Sequence, residues 1–506
     1  MNKRIWAITL VLGLMLTLLA GCGGNAAKGP EARKAANELT VGLPEDLDEG
    51  LDPHMSVSAA TRSVMFNVFE GLVKPTSDGD LVPAIASDVH VEDDGLTYVF
   101  TLRQGVKFHN GDTVDMQDVL YSIRRNAGDG ENDPLIPELA VISDMQAEGD
   151  KLTITLSEPS TEFLANMTLA IIPADYDQQE TAPIGTGPYK YVSRVPQDNF
   201  VLERFADYWG TPGKLEKVTY KIIEKAESLV QGLQSGALDV VAHMTTTQIA
   251  QLSDKQFHVE EGTMNLVQAL YLNNAVEPFN DIRVRQALCY AIDKQAILDL
   301  AFDGYGSLLG SSMFPSFGKY FDESLTNYYP HDTAKAKDLL AQAGYPDGFD
   351  MTITVPSVHQ PHVDTAQAIA MQLEEIGVHA TIQPVEWSSW KADVYQDRQF
   401  QSTVIGLDAH TLTARDLLQR FHSPEHGNFI NYQNAEYDDL YEKAIACYDD
   451  AEQTQIYRQM ERNLTENAAN VYIQDLADLV AVRNGVEGPT FYPMYVLDLT
   501  TLSWAE

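Results

Sequence analysis

Cysteine is scarce. The 506-residue chain holds three, Cys22, Cys289 and Cys447, too few for a disulfide scaffold and without the C-x-x-C spacing of a redox or zinc site. Basic residues are also in short supply, 34 Lys and Arg against 73 Asp and Glu, for a formal charge of -39. Such a surface repels phosphate backbones, which bind proteins through cationic neutralisation, so nucleic acid is excluded as a partner. The motifs G-x-S-x-G, H-E-x-x-H and G-x-x-x-x-G-K-[ST] do not occur, which leaves a secreted hydrolase as the weaker alternative to a binding protein. No internal repeat is visible. What is present is a globular composition, 44% hydrophobic and 21% charged, at a length that suits two to four domains or one large two-lobed protein.

Lys3 and Arg4 precede the one long apolar run, "IWAITLVLGLMLTLLAG", which has the charged start and apolar middle of a secretory signal. It stops at "LLAGC", Leu18 to Cys22, which resembles a bacterial lipobox and implies lipidation of Cys22 after cleavage. Residues 1–21 are then the signal peptide. Residues 22–37, small and polar, form a flexible tether. The alternative is an uncleaved anchor, since about 17 apolar residues stand at the short edge of a membrane span. Either way the body lies outside the cytoplasm, and it should begin near Glu38.

"ELTVGLP" reads as a strand, broken by Asp52-Pro53 before "SAATRSVMFNVFEGLV", whose Val64, Phe66, Val68 and Phe69 have helical spacing. "LTYVFTLRQGVKF" alternates as a half-buried strand and turns at Gly105; "KLTITLSEP" repeats the strand pattern. Asp332 or Thr333 should cap a helix that Gly344 ends.

Six ordered blocks then point one way: "NVFEGLV" (Asn67 to Val73), "DDGLTYVFTLRQGVKFHNGDTVDMQDVLYSI" (Asp93 to Ile123), "IGTGPY" (Ile184 to Tyr189), "PFNDIRVRQALCYAIDKQAI" (Pro278 to Ile297), "AKAKDLLAQAGYPDGF" (Ala334 to Phe349) and "LEEIGVHATIQPVEW" (Leu373 to Trp387). Together they resemble extracytoplasmic solute-binding protein family 5, the dipeptide-, oligopeptide- and nickel-binding proteins of ABC importers. The resemblance implies an α/β class II periplasmic-binding fold of two lobes, a central cleft and two hinge strands. Lobe I would comprise 38–74, 184–274 and 485–506, with an extra subdomain at 75–183, and lobe II would comprise 275–484. It also implies a monomer that works with an ABC permease and its ATPase subunits, needs no cofactor and performs no covalent chemistry.

A receptor for polar solutes needs apolar walls and a few charged groups that fix orientation. The stretch after Trp387, which matches a family tryptophan able to line the cavity, is the richest, with Trp390 three residues on. Peptide-binding relatives carry a pattern like G-W-x-A-D-Y-x-D-P whose first aspartate pairs with the peptide amine. Aligned on Gly406 and Leu417-Leu418, this chain has Leu407 at the tryptophan, His410 at that aspartate and Thr413-Ala414 at the Asp-Pro. A neutral imidazole offers an ammonium one acceptor. Asp408 could substitute, since an extended backbone would put it on the same side as His410.

His410 also raises a metal-chelate reading, nickel or an opine-type metallophore, with His359 and His362 as further candidates. Arg415 could fork onto a ligand carboxylate. On the other lobe, Asp52, His54, Phe69, Glu70 and Thr186 lie in blocks that approach the ligand in the family. A binding lipoprotein used for sensing or adhesion shares this whole signature.

Overall fold

The computed structural model describes residues 29–505 other than 57, 78, 93–94, 129–133, 161, 410–412, 448 and 495. Cys22 and His410 lie outside the described residues.

A mixed twelve-stranded sheet is built around one long strand, Asn470–Arg483, fourteen residues and buried along nearly all of its length. On one side of it come Val240–Met244, Glu38–Leu43, Lys217–Ile222, Asn199–Arg204 and Tyr189–Val195; on the other, Leu266–Leu272, Ser402–Asp408, Phe349–Pro356 and Val378–Val385. A second crossing runs antiparallel to it. Phe257–Thr263 pairs with its C-terminal part, from Phe257↔Arg483 to Thr263↔Ala477, and Leu266–Leu272 with its N-terminal part, from Gln268↔Gln474 to Tyr271↔Asn470. The chain thus passes between the two halves at Met264-Asn265 and again within the long strand. The fold is a two-lobed mixed α/β architecture.

Burial explains the sequence patterns. Glu38–Leu43 pairs in parallel on both sides and is covered on both faces, so its centre is continuously buried. Thr97–Leu102 sits in a separate four-stranded antiparallel sheet, Ala86–Val91, Thr97–Leu102, Lys151–Leu156 and Ile142–Glu148, and alternates strictly because one face meets a core of Phe100, Phe108, Ile123, Ile154 and Phe163. Helix Met116–Ala127 covers that core. It begins at a capping box in which Asp115 and Asp118 satisfy each other's backbone N–H groups. Asp332, rather than Thr333, caps helix Thr333–Gln342 through the N–H of Lys335 at 2.9 Å, and Gly344 follows with φ +97°. Cys289 and Cys447 are free thiols, the first buried.

One helix is shorter than its spacing predicts. It covers Ala59–Met65 only, and Phe66, Val68 and Phe69 fall in the turns beyond it. The cause is tertiary. Asn67 Nδ2 donates to the Leu497 carbonyl at 2.9 Å and its Oδ1 accepts from the Leu499 N–H at 2.8 Å, which draws the backbone out of the helix. The following residues then lie against the "IGTGPY" block. A Cβ at Gly185 or Gly187 would collide with the carbonyls of Val68 and Asn67, so glycine there serves close backbone approach.

The N-terminal segment is fastened by a buried charge cluster. Asp239, with no exposure at all, accepts from Arg33 Nε and Nη2 at 2.5 and 2.6 Å, from Arg483 Nε at 2.9 Å and from the Thr40 N–H at 3.0 Å. Two buried guanidiniums depend on that carboxylate. Asp239→Ala should therefore destabilise the protein by about 3–5 kcal/mol, read as a lower midpoint in urea unfolding.

Candidate functional site

The first wall of the candidate cleft belongs to the lobe that carries Glu38–Leu43. A cavity of about 250 Å³ is lined there by Pro53, Phe66, Phe69, Glu70, Tyr208, Tyr492 and Met494, among others. Phe66 meets Tyr492 edge-on at 5.4 Å. The backbone carbonyl of Tyr492 accepts from Asn265 Nδ2 at 2.6 Å, which ties this wall to the crossing between the lobes.

Glu70 lines this wall together with the charged residues Arg62, Lys74 and Asp498. Its oxygens accept from Tyr208 Oη and Trp209 Nε1, both at 2.6 Å, with Lys74 Nζ at 3.5 Å. Burial pushes its carboxyl above the usual range, against the pull of Lys74 and the two aromatic donors. Asp52 does not face the cavity. Both its oxygens take Arg125, at 2.9 and 2.7 Å, and its burial, which acts upward, is outweighed by that pair and the His54 N–H, so its pKa falls.

His54 is equally committed. Nε2 lies 2.8 Å from the Ala170 carbonyl and Nδ1 lies 3.0 Å from Arg125 Nη1, and burial lowers its pKa. These two residues brace Pro53 and Ala170, which do line the cavity. Thr186 is fully buried and is not among the cavity's lining residues.

A second group of candidate residues lies beside the strand Ser402–Asp408. Trp387, 39% exposed, stacks face to face on Trp390 with ring centres 5.2 Å apart and planes at 4°, and His359 meets its ring edge-on at 5.4 Å. Trp390 is 3% exposed and donates from Nε1 to Thr403 Oγ1 at 2.9 Å. It is a core residue that supports the exposed ring, with no face left for a ligand.

His362 is withdrawn too. Nδ1 lies 2.7 Å from Gln268 Nε2, Nε2 accepts from the Gly406 N–H at 3.2 Å, and burial drives its pKa down to about 3. Both ring nitrogens are engaged, so it has none for a metal. Asp408 ends its strand in an exposed position, and its carbonyl accepts from Arg420 Nη2 at 2.6 Å.

Arg415 faces protein. Its Nε stands 3.8 Å from Glu162 Oε2 and its guanidinium carbon 6.0 Å from the centre of the Tyr441 ring. Here the antiparallel subdomain meets the second lobe around a cavity of about 880 Å³, lined by Glu138, Glu158, Glu162, Asp416 and Glu442 with Arg415 the one basic residue. The two cavities flank one stretch of chain, Asn166 lining the larger and Thr168 to Ala170 the smaller.

The structure thus gathers Phe69 and Glu70 at one cavity, Trp387 and His359 at one aromatic platform, and Arg415 at the subdomain contact. Arg125, Glu162, Tyr208, Trp209 and Tyr492 escaped the sequence reading. The aromatic clusters "DYWG" and "FYPMY" were a usable signal for three of them; no local pattern marks Arg125 or Glu162, whose partners lie 73 and 253 or more residues away.

A two-lobed fold on a shared sheet is the architecture of the solute-binding proteins that the chain resembles in sequence. The chain belongs to the bacterial extracellular solute-binding proteins, family 5, whose middle-region pattern matches residues 80–429. It is an extracellular binding protein for a small solute, of the class that serves ABC transporters. Similar proteins include heme-binding protein A of Haemophilus influenzae, 25% identical over 89% of this chain and 90% of that protein, and the glutathione-binding protein GsiB of Salmonella paratyphi A, 29% identical over 84% and 86%. Among solved structures, the binding protein AgaA from A. tumefaciens R10 in complex with agropinic acid aligns over 93% of this chain and 99% of its own, with 27% identity and a TM-score of 0.73. The binding protein CtaP of Listeria monocytogenes aligns over 93% and 99% with 23% identity and a TM-score of 0.83. No helix among the described residues is long and apolar enough to cross a membrane.

The tryptophan pair separates by burial. Trp390→Ala should cost about 3–5 kcal/mol, whereas Trp387→Ala should cost about 1 kcal/mol, the scale of one aromatic contact. Paired urea titrations of the two variants measure the difference.

Proposed function

We propose that the protein is a lipid-anchored receptor, held at the outer face of the cell membrane through Cys22, that captures an oligopeptide-like solute between its lobes. It acts as a monomer without a cofactor, passes the solute unchanged to an ABC permease and its ATPase subunits, and divides into lobes at Met264-Asn265 and within Asn470–Arg483, about ten residues before the implied crossings.

The observation that carries the ligand class is the aromatic and acidic character of the candidate residues on the two lobes. An aromatic platform, Trp387 with His359, sits on one lobe, aromatic residues Phe66, Phe69 and Tyr492 on the other, and the larger cavity has five carboxylates against one guanidinium. Apolar walls exclude water from side chains, and an acidic lining suits an ammonium terminus. Asp408, exposed at its strand end, remains the candidate for the amine in place of His410. A similar protein is a glutathione-binding protein, which agrees with a small polar solute. In the metal-chelate alternative His362 is not available as a ligand, because both its ring nitrogens are engaged by Gln268 and Gly406.

A thermal-shift screen tests this with peptide pools, free amino acids, opines, and nickel, cobalt or zinc with and without histidine. Peptides should raise the melting temperature, since a ligand at a hundredfold excess over Kd adds about 2.7 kcal/mol to the folded state. Stabilisation by metal with chelator alone, or by opines alone, would overturn the peptide reading.

A further inference from the structure

Glu162 stands at the start of the short helix Phe163–Asn166 in the subdomain, yet the partners of its carboxylate lie in the second lobe. Oε1 accepts from Tyr457 Oη at 2.8 Å and from the Arg415 N–H at 3.2 Å, with Arg415 Nε 3.8 Å from Oε2. Tyr320 meets Tyr457 edge-on at 5.6 Å, and Arg415 lies over Tyr441. The subdomain is thereby joined to the second lobe at the rim of the larger cavity.

We propose that Glu162 is a clasp, a positioning residue that holds the two lobes closed through Tyr457 and Arg415. This rests on the reading that the lobes close on a solute. Parting them strips the carboxyl of both partners and of the aromatic cover, so the clasp has two discrete states, as a conformational device requires.

The clasp also makes closure depend on pH. In the closed state burial pushes the Glu162 carboxyl up to about 7, with Arg415 and Tyr457 pulling it down and Asp416 adding to the rise. The titratable or charged groups that face it are Arg415 and Asp416 from the helix Ala414–Leu418, Tyr441 and Glu442 from Ala435–Ala446, Tyr457 from Asp450–Glu466, and Tyr320, with Glu138 and Glu158 on its own side of the cavity. In the open state the carboxyl is rehydrated and returns toward its ordinary value of 4.5. A pKa higher in the closed state means that closure takes up a proton. The clasp's contribution is full below the open-state pKa and is lost as pH rises through about 7.

Single-molecule energy transfer on the purified protein without solute reads the closed-to-open ratio directly, with dyes on noncanonical residues placed at the exposed Gln146 and Asp439. Between pH 5.5 and 8 the ratio should fall roughly thirtyfold in the wild type. It should stay flat in Glu162→Gln and lie lower at every pH in Tyr457→Phe, with melting curves showing that each variant is folded. A flat wild-type profile, or a Glu162→Gln profile that follows the wild type, overturns the clasp. If Glu162→Gln does not fold, an unchanged ratio in Tyr457→Phe overturns it instead. No solute is present, so failure of every peptide to bind would sink the ligand reading and leave this result standing.

Discussion

The backbone ladder of Asn470–Arg483 is the constraint from which the rest follows. One strand serves two half-sheets, Leu266–Leu272 at its start and Val240–Met244 at its end, with Phe257–Thr263 alongside. A strand so enclosed has no solvated face, which is why "NVYIQDLADLVAVR" shows no clean alternation and why its polar members are buried. It also fixes where motion can occur. The lobes are joined through a continuous hydrogen-bonded strand and one short crossing at Met264-Asn265, so they can rotate about this line more easily than they can slide.

Charges buried in the molecule share a pattern. Asp239 joins residues 206 and 244 positions away, Glu70 joins Trp209 across 139, and Glu162 joins Tyr457 across 295. Each carboxylate is satisfied only when two distant segments arrive in the right place, and a misplaced segment would leave a buried charge without its partner, which is expensive. The apolar clusters drive collapse in each lobe. The buried acids then act as registration points between segments that apolar packing alone would not align.

What the sequence revealed follows from the same distinction. Local patterns were legible where one neighbour decides the outcome, as at the alternating Thr97–Leu102, the Asp332 cap and the turn at Gly105. The family blocks carried the two-lobed fold. The extent of the helix at Ala59–Met65 was not legible, because Asn67 answers to Leu497 and Leu499 from the far end of the chain. At the candidate site, Trp387 and Trp390 look alike in sequence, and the packing of Trp390 against Thr403, Tyr395 and Phe429 separates a core ring from an exposed one. Asp52, His54 and His362 were the right chemistry in the wrong role, each already paired with Arg125, Ala170, Gln268 or Gly406.

The cluster at Asp239 has a mechanical consequence. Arg33 rivets the segment that enters at Gly29 to the first lobe, and Arg483 rivets the end of the long strand to the same carboxylate. Any load carried by the N-terminal segment at Gly29 is therefore borne by the first lobe, beside the ladder through which that lobe grips the long strand. The first lobe is the stator. A second lobe that rotates against it would do so about the fourteen-residue strand.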